Sequence, residues 1–211
     1  MSSKDVILDR VRAALVHSSA PLEIPREYRR GSVPADLDLL VERLEDYKAV
    51  VHRAADVAAA IEKIVPAGTV VVPPGLPEQW LPSSVDALVD DGLPADRIAA
   101  ADGVVTAAAV AVAETGTIVL DASPDQGRRI ISLLPDLHIC VLRPDQVVAS
   151  VPEAVARLDP RRPLTWISGP SATSDIELNR VEGVHGPRNL HVILPEEAKP
   201  AARGCTLTPQ H

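Results

Sequence analysis

Three short stretches concentrate the residue types that do chemistry. The first is Glu114-Thr115-Gly116-Thr117, an acid and two hydroxyls around a glycine. The second is Gly169-Pro170-Ser171-Ala172-Thr173-Ser174-Asp175-Ile176-Glu177, and the third Gly183-Val184-His185-Gly186-Pro187. Glycine lets the backbone approach a ligand closely or turn with positive φ, and hydroxyls both donate and accept hydrogen bonds. Glu114, set among Ala and Val, is a candidate proton-transfer group if its carboxyl is desolvated, with Arg128 or Arg129 as ion-pair partners otherwise. His185, flanked by glycine and valine in a turn, is the other candidate for handling protons. The hydroxyls and amides of Thr115, Gly116, Thr117, Gly169, Ser171, Thr173, Ser174 and Gly186 form a candidate ligand-binding set, with Asp175 and Glu177 beside them.

The same residues have structural readings. Ser174 and Glu177 stand at capping-box spacing, which predicts Ser174 as N-cap of a short helix ending near Gly183. The free amides of such a helix start would favour an anion, while Asp175 and Glu177 would repel one. Glu114–Thr117 also reads as a tight turn feeding a strand, and His185 as a solvated turn residue. The residues alone leave both readings open.

The elements that must hold these stretches follow from periodicity. Apolar spacing predicts a helix over residues 5–17, a proline-bearing connector from 18 to 34, and a second helix from Ala35 to about Tyr47. The first helix reads either as a cover for the protein's own core or as a docking arm. Beyond it, "KAVVHRA", "TVVVPPG", "ETGTIVLDA", "HICVLRP", "LTWISGP" and "LHVILPE" read as strands, with helices at 56–65, 125–134 and 151–158. "DGVVTAAAVAVAETGT" fits a buried helix or a strand and is read as helix. Strands alternating with helices predict an α/β fold with a mostly parallel sheet, whose ligands would sit at the carboxyl ends of the strands. The expected organisation is residues 1–34 as helix and connector, 35–195 as the α/β domain, and 196–211 as a flexible tail.

Composition narrows the function. The 211 residues include no Phe, two Trp and two Tyr, so a base-stacking platform is not expected, and a formal charge of −8 argues against tracking a phosphate backbone. The two cysteines, Cys140 and Cys205, form no metal- or cluster-binding spacing. Neither a metal site nor a cofactor in this chain is expected; no P-loop or dinucleotide fingerprint is legible. The longest apolar run, 104–113, is far short of the roughly 18 residues of a membrane span, and residues 1–19 lack the apolar core of a signal peptide. A reduced, cytoplasmic protein is expected.

"AETGTIVL", "LLPDLHICVL", "ISGPSATSDIE" and "GVHGPRNLHVIL" occur in that order. Together they resemble the LUD-domain family, and within it the lactate utilization protein C type, closely over about 102–195 and more loosely from Leu39. The resemblance implies a three-layer α/β/α fold similar to the sugar-phosphate isomerase and CoA-transferase-like superfamily. It also implies a cluster-free subunit acting beside iron–sulfur partner proteins in the oxidation of L-lactate to pyruvate. Its signature covers Glu114 to Thr117, then Gly169, Pro170, Ser171, Thr173, Asp175, Ile176 and Glu177, then Gly183, His185, Gly186 and Pro187. Some relatives carry Arg where this chain has Ala172, so carboxylate or phosphate capture by that side chain is not implied here. Two alternatives stand beside this reading: a non-catalytic assembly or regulatory subunit, and a stand-alone CoA-transferase- or cyclo-ligase-like enzyme. The single-site hypothesis joins the three stretches into one small-anion pocket at the carboxyl edge of the sheet.

Overall fold

The computed structural model describes residues 2–16, 24–25, 34–174, 180–182 and 186–196. Helix α1 (Ser3–Leu15) is capped by Ser2 and Asp5, which exchange capping-box hydrogen bonds. None of its residues is buried, so it covers no core among the described residues. Helix α2 (Leu37–Asp46) begins at Asp36, whose carboxylate accepts from the amides of Asp38 and Leu39. It buries Leu40 and Leu44 completely.

The elements that follow are β1 (Val50–Ala54), α3 (Val57–Ile64), β2 (Gly68–Val72), β3 (Val85–Val89), α4 (Ala95–Ala99), β4 (Gly103–Ala107), β5 (Val110–Val112) and β6 (Thr117–Leu120). Then come β7 (Leu137–Val141), β8 (Val147–Val148), α5 (Val151–Arg157), β9 (Thr165–Ile167), β10 (Ala172–Ser174), β11 (Arg180–Glu182) and β12 (Asn189–Pro195). Six strands form one sheet in the order β1-β12-β7-β4-β2-β3, with every pairing parallel. This is the α/β fold the alternating pattern predicts.

Alternation along the strands explains why both faces are covered. In β7, Ile139 and Val141 pack with Ile193 and Val105 against Val57, Ala60 and Ile61 of α3. Cys140 and Leu142 point the other way and pack with Val192 and Leu194 against Leu40 and Leu44 of α2. That second face is closed partly by a four-stranded sheet, order β8-β5-β6-β9, which contributes Ala111 and Ile118.

Two expected helices come out differently. The run from 103 to 112 is two strands, β4 in the main sheet and β5 in the small one, all of whose residues are buried. A strand enclosed on both faces loses its polar alternation, so a run rich in alanine reads like a helix. Over 125–134 only a 3₁₀ turn forms, Arg129–Ser132; Gly127, at φ 72, breaks the run near its start and Pro135 closes it. The expected helix from Ser174 to near Gly183 falls partly on 175–179, outside the described residues, and Ser174 itself is a strand residue. It ends β10, which pairs antiparallel with β11 through Ala172↔Glu182 and Ser174↔Arg180.

Candidate functional site

The antiparallel pairing of β6 with β9 sets the site. Ile118 lies opposite Ile167 and Val119 opposite Trp166, so the residues just outside this ladder, Thr117 and Ser168, also meet. Their hydroxyl oxygens are 2.9 Å apart, and Thr115 Oγ1 donates to Thr117 Oγ1 at 2.8 Å. A hydroxyl chain therefore runs from the Glu114–Thr117 turn to Ser168. The chain then turns at Gly169 (φ 83), and the amide of Ser171 donates to Pro187 O at 2.8 Å. That bond brings Gly186 and Pro187 beside Ser171. Arg188 anchors the far side through a two-pronged ion pair with Asp136, at 2.5 and 2.7 Å, which holds the Asp136 carboxyl below the usual range.

These segments enclose a cleft of about 280 Å³. Ser168, Gly169, Ser171, Gly186 and Pro187 form one wall, with the half-exposed ring of Trp166 beside them. Arg129 and Ser132 of the 3₁₀ turn, Leu133, His138 and Leu190 also line the cleft. Arg129 Nη1 donates to Ser132 Oγ at 3.2 Å. Arg129 is an exposed residue, and partial desolvation of its guanidinium draws its pKa down. Among the described residues it has no carboxylate partner, and none of the residues lining the cleft is acidic. His138 is fully buried; its Nε2 lies 2.8 Å from Thr106 Oγ1, and burial, helped by the nearby charge of Arg129, pushes its pKa down to about 4. The imidazole is therefore neutral at physiological pH and able to hydrogen-bond without carrying charge. Cys140, on the same face of β7, is also buried, which pushes its thiol up to about 12 and leaves it unreactive.

The predicted site residues divide into three groups. Gly169, Ser171 and Gly186 line the cleft, and Thr115 and Thr117 reach it through Ser168. Glu114 is exposed rather than desolvated, and its Oε1 accepts from Val151 N at 2.9 Å, at the start of α5. Neither Arg128 nor Arg129 pairs with it: Arg128 is bound to Asp90. Gly116 faces α2, where a Cβ would lie 2.7 Å from Arg43 Cβ. Thr173 and Ser174 lie in β10, and Asp175, Glu177, Gly183 and His185 fall outside the described residues. Nor is the cleft at the carboxyl edge of the main sheet. His138 and Leu190 are the second residues of β7 and β12, so it lies beside the amino ends of those strands. The small sheet covers this face there and carries β9 to it.

Arg129 as an anion-facing group, Ser132, Ser168 and His138 were not singled out by the sequence. A histidine inside an apolar strand and an arginine pair after a glycine are weak signals by themselves. Only the pairing of β7 with β4, which sets His138 beside Thr106, and the position of the 3₁₀ turn bring them together.

Residues 94–194 match the family model described as the LUD domain. The lactate utilization protein C of Deinococcus radiodurans is 48% identical over 182 residues, covering 82% of this chain and 84% of that protein. Its Bacillus subtilis counterpart is 36% identical over 98 residues, 43% of this chain and 40% of that protein. Among solved structures, a DUF162 family protein from Deinococcus radiodurans superimposes with a TM-score of 0.65 at 42% identity, over 76% of this chain and 96% of that one.

Proposed function

The chain belongs to the LUD-domain family, and from that premise we propose that it takes part in lactate utilization as a cluster-free subunit of a system oxidising L-lactate to pyruvate. Iron–sulfur proteins would be its partners. Its own contribution would be to hold a small carboxylate in the cleft between Arg129 and Ser171. The observation that carries this reading is that Arg129, Ser132, Ser168 and Ser171 line one cleft whose described lining has no acid. A planar guanidinium matches a carboxylate with two parallel hydrogen bonds. Ser132, Ser168 and Ser171 supply hydroxyls for the oxygen on the adjacent carbon, and neutral His138 adds a polar group with no charge to repel or trap the ligand.

Calorimetric titration of the chain with L-lactate, pyruvate and acetate tests the reading. Saturable binding of a 2-hydroxy or 2-oxo acid, weakened at least tenfold by Arg129→Gln, is the expected result. Absence of binding by all three would remove it.

A second reading has its own observation. Val6, Ile7, Leu8, Val11 and Leu15 of α1 are exposed, as they would be on a helix that docks to a partner in an assembly or regulatory subunit. Deleting residues 1–34 separates the two. A docking role predicts loss of partner binding with carboxylate binding retained.

A further inference from the structure

The cleft does not stop at Arg129. A second cavity, of about 270 Å³, lies on the other side of the same 3₁₀ turn and shares Arg129 and Ser132 with the first, of about 280 Å³. The wall between them includes the Arg129 side chain, held by one hydrogen bond of 3.2 Å to Ser132 Oγ, while Ser132 Oγ donates back to Arg129 O at 3.0 Å. That bond is charge-assisted but single, and Arg129 is an exposed long side chain that can exchange it for water, so it is a movable partition.

The two lobes differ in chemistry. The first is lined by the hydroxyls of Ser168 and Ser171, the second by Leu120, Ala122, Pro163 and Thr165. Two of the polar side chains lining the second lobe are engaged elsewhere. Gln126 Oε1 accepts from Asp121 N at 2.6 Å, and Arg128 is committed to Asp90 and to Leu93 O. No acidic residue lines either lobe among the described residues, and Arg129 is the cation common to both. Each lobe by itself falls just below the roughly 300–1,000 Å³ typical of small-molecule sites, and a three-carbon acid has no tail to place in the apolar lobe.

Building on the carboxylate reading above, we infer that the site takes a 2-oxo or 2-hydroxy acid with an aliphatic tail of several carbons. The carboxylate sits on Arg129 among the serine hydroxyls. The tail enters the Leu120–Thr165 lobe past the Arg129 side chain once that side chain leaves Ser132. Thr165 and Leu120 are then the specificity-determining residues.

The test is calorimetric titration of the full chain with pyruvate, 2-oxobutyrate, 2-oxopentanoate and 2-oxohexanoate, repeated with Thr165→Leu, which fills the second lobe. Burial of each methylene is expected to tighten Kd about fourfold in the wild-type chain, and Thr165→Leu is expected to flatten that trend. Affinity that is flat or falls along the series in the wild-type chain, with pyruvate still bound, would overturn the two-lobe inference and leave the carboxylate reading standing. A trend as steep in Thr165→Leu as in the wild type would place the tail elsewhere and overturn it equally. Failure of every acid to bind, pyruvate included, would remove the carboxylate reading itself and this inference with it. The wild-type series decides the matter even where the variant does not fold.

Discussion

Thr117 Oγ1 and Ser168 Oγ, 2.9 Å apart, tie the Glu114–Thr117 turn to the wall of the cleft. Thr117 is 7% exposed, so its hydroxyl exchanges water for Thr115 and Ser168. Thr117→Val keeps the shape and removes the bonds. It is expected to cost about 1 kcal/mol of stability, read as a lower Tm. It is also expected to weaken carboxylate binding severalfold, because Ser168 loses the partner that orients it.

The motif glycines Gly116 and Gly169 answer to α2. A Cβ on Gly169 would lie 2.6 Å from Tyr47 Cβ and 2.7 Å from Tyr47 O, and one on Gly116 2.9 Å from the Arg43 carbonyl carbon. Both residues also have positive φ, at 83° and 60°. Gly116→Ala and Gly169→Ala must therefore push the end of α2 away as well as strain their own backbone. Each is expected to destabilise by about 2–3 kcal/mol. Denaturant unfolding should show the loss, whereas Gly92→Ala, where a Cβ meets nothing within 4 Å, should cost only the strain of its own positive φ.

His138 makes stability depend on pH. Its folded pKa of about 4 lies below the usual 6.5, so as pH falls the unfolded chain takes up the proton first. Its contribution is fully present above about 6.5 and is lost progressively down to about 4, amounting to roughly 3 kcal/mol. His52 and His191, whose ring nitrogens lie 3.0 Å apart, are also shifted down by burial and add to the same acid-side loss. In His138→Gln, unfolding free energies measured between pH 7 and pH 4 should fall less steeply than in the wild type.

Asp90 is 5% exposed and is held below its usual pKa first by its hydrogen bond to Arg128. A depressed carboxylate stabilises above its unfolded pKa and loses that contribution as pH falls through its folded one. Asp90→Ala leaves the Arg128 guanidinium without its carboxylate and the Asp90–Leu93 turn without its side-chain acceptor. A loss of about 2–3 kcal/mol is expected, below the full value for a buried pair because Arg128 remains half-exposed.

Cys140 should resist alkylation. In a Cys205→Ser background it is the one remaining thiol. With its pKa at about 12 and no exposure, iodoacetamide at pH 8 should label it only after denaturation, and labelling in the folded protein would show that β7 opens.

The alternation of apolar runs and helical stretches determined by itself that a parallel α/β sheet forms, because each strand flanked by Pro or Gly must bury two apolar faces under neighbouring helices. The sequence also named Gly169, Ser171 and Gly186 as candidates, but the same glycine–hydroxyl clusters suit caps and turns equally well; that the three line one cleft was decided by the fold. Tertiary structure decided the rest. Whether residues 103–112 are helix or strand depended on burial between two sheets, which erases local periodicity. Whether Ser174 falls in a strand depended on partners that spacing does not reveal. Arg129 and His138 became neighbours of Ser171 only through the 3₁₀ turn and the register of β7. Which edge of the sheet carries the cleft was set by where the small sheet packs, a long-range contact with no local signature.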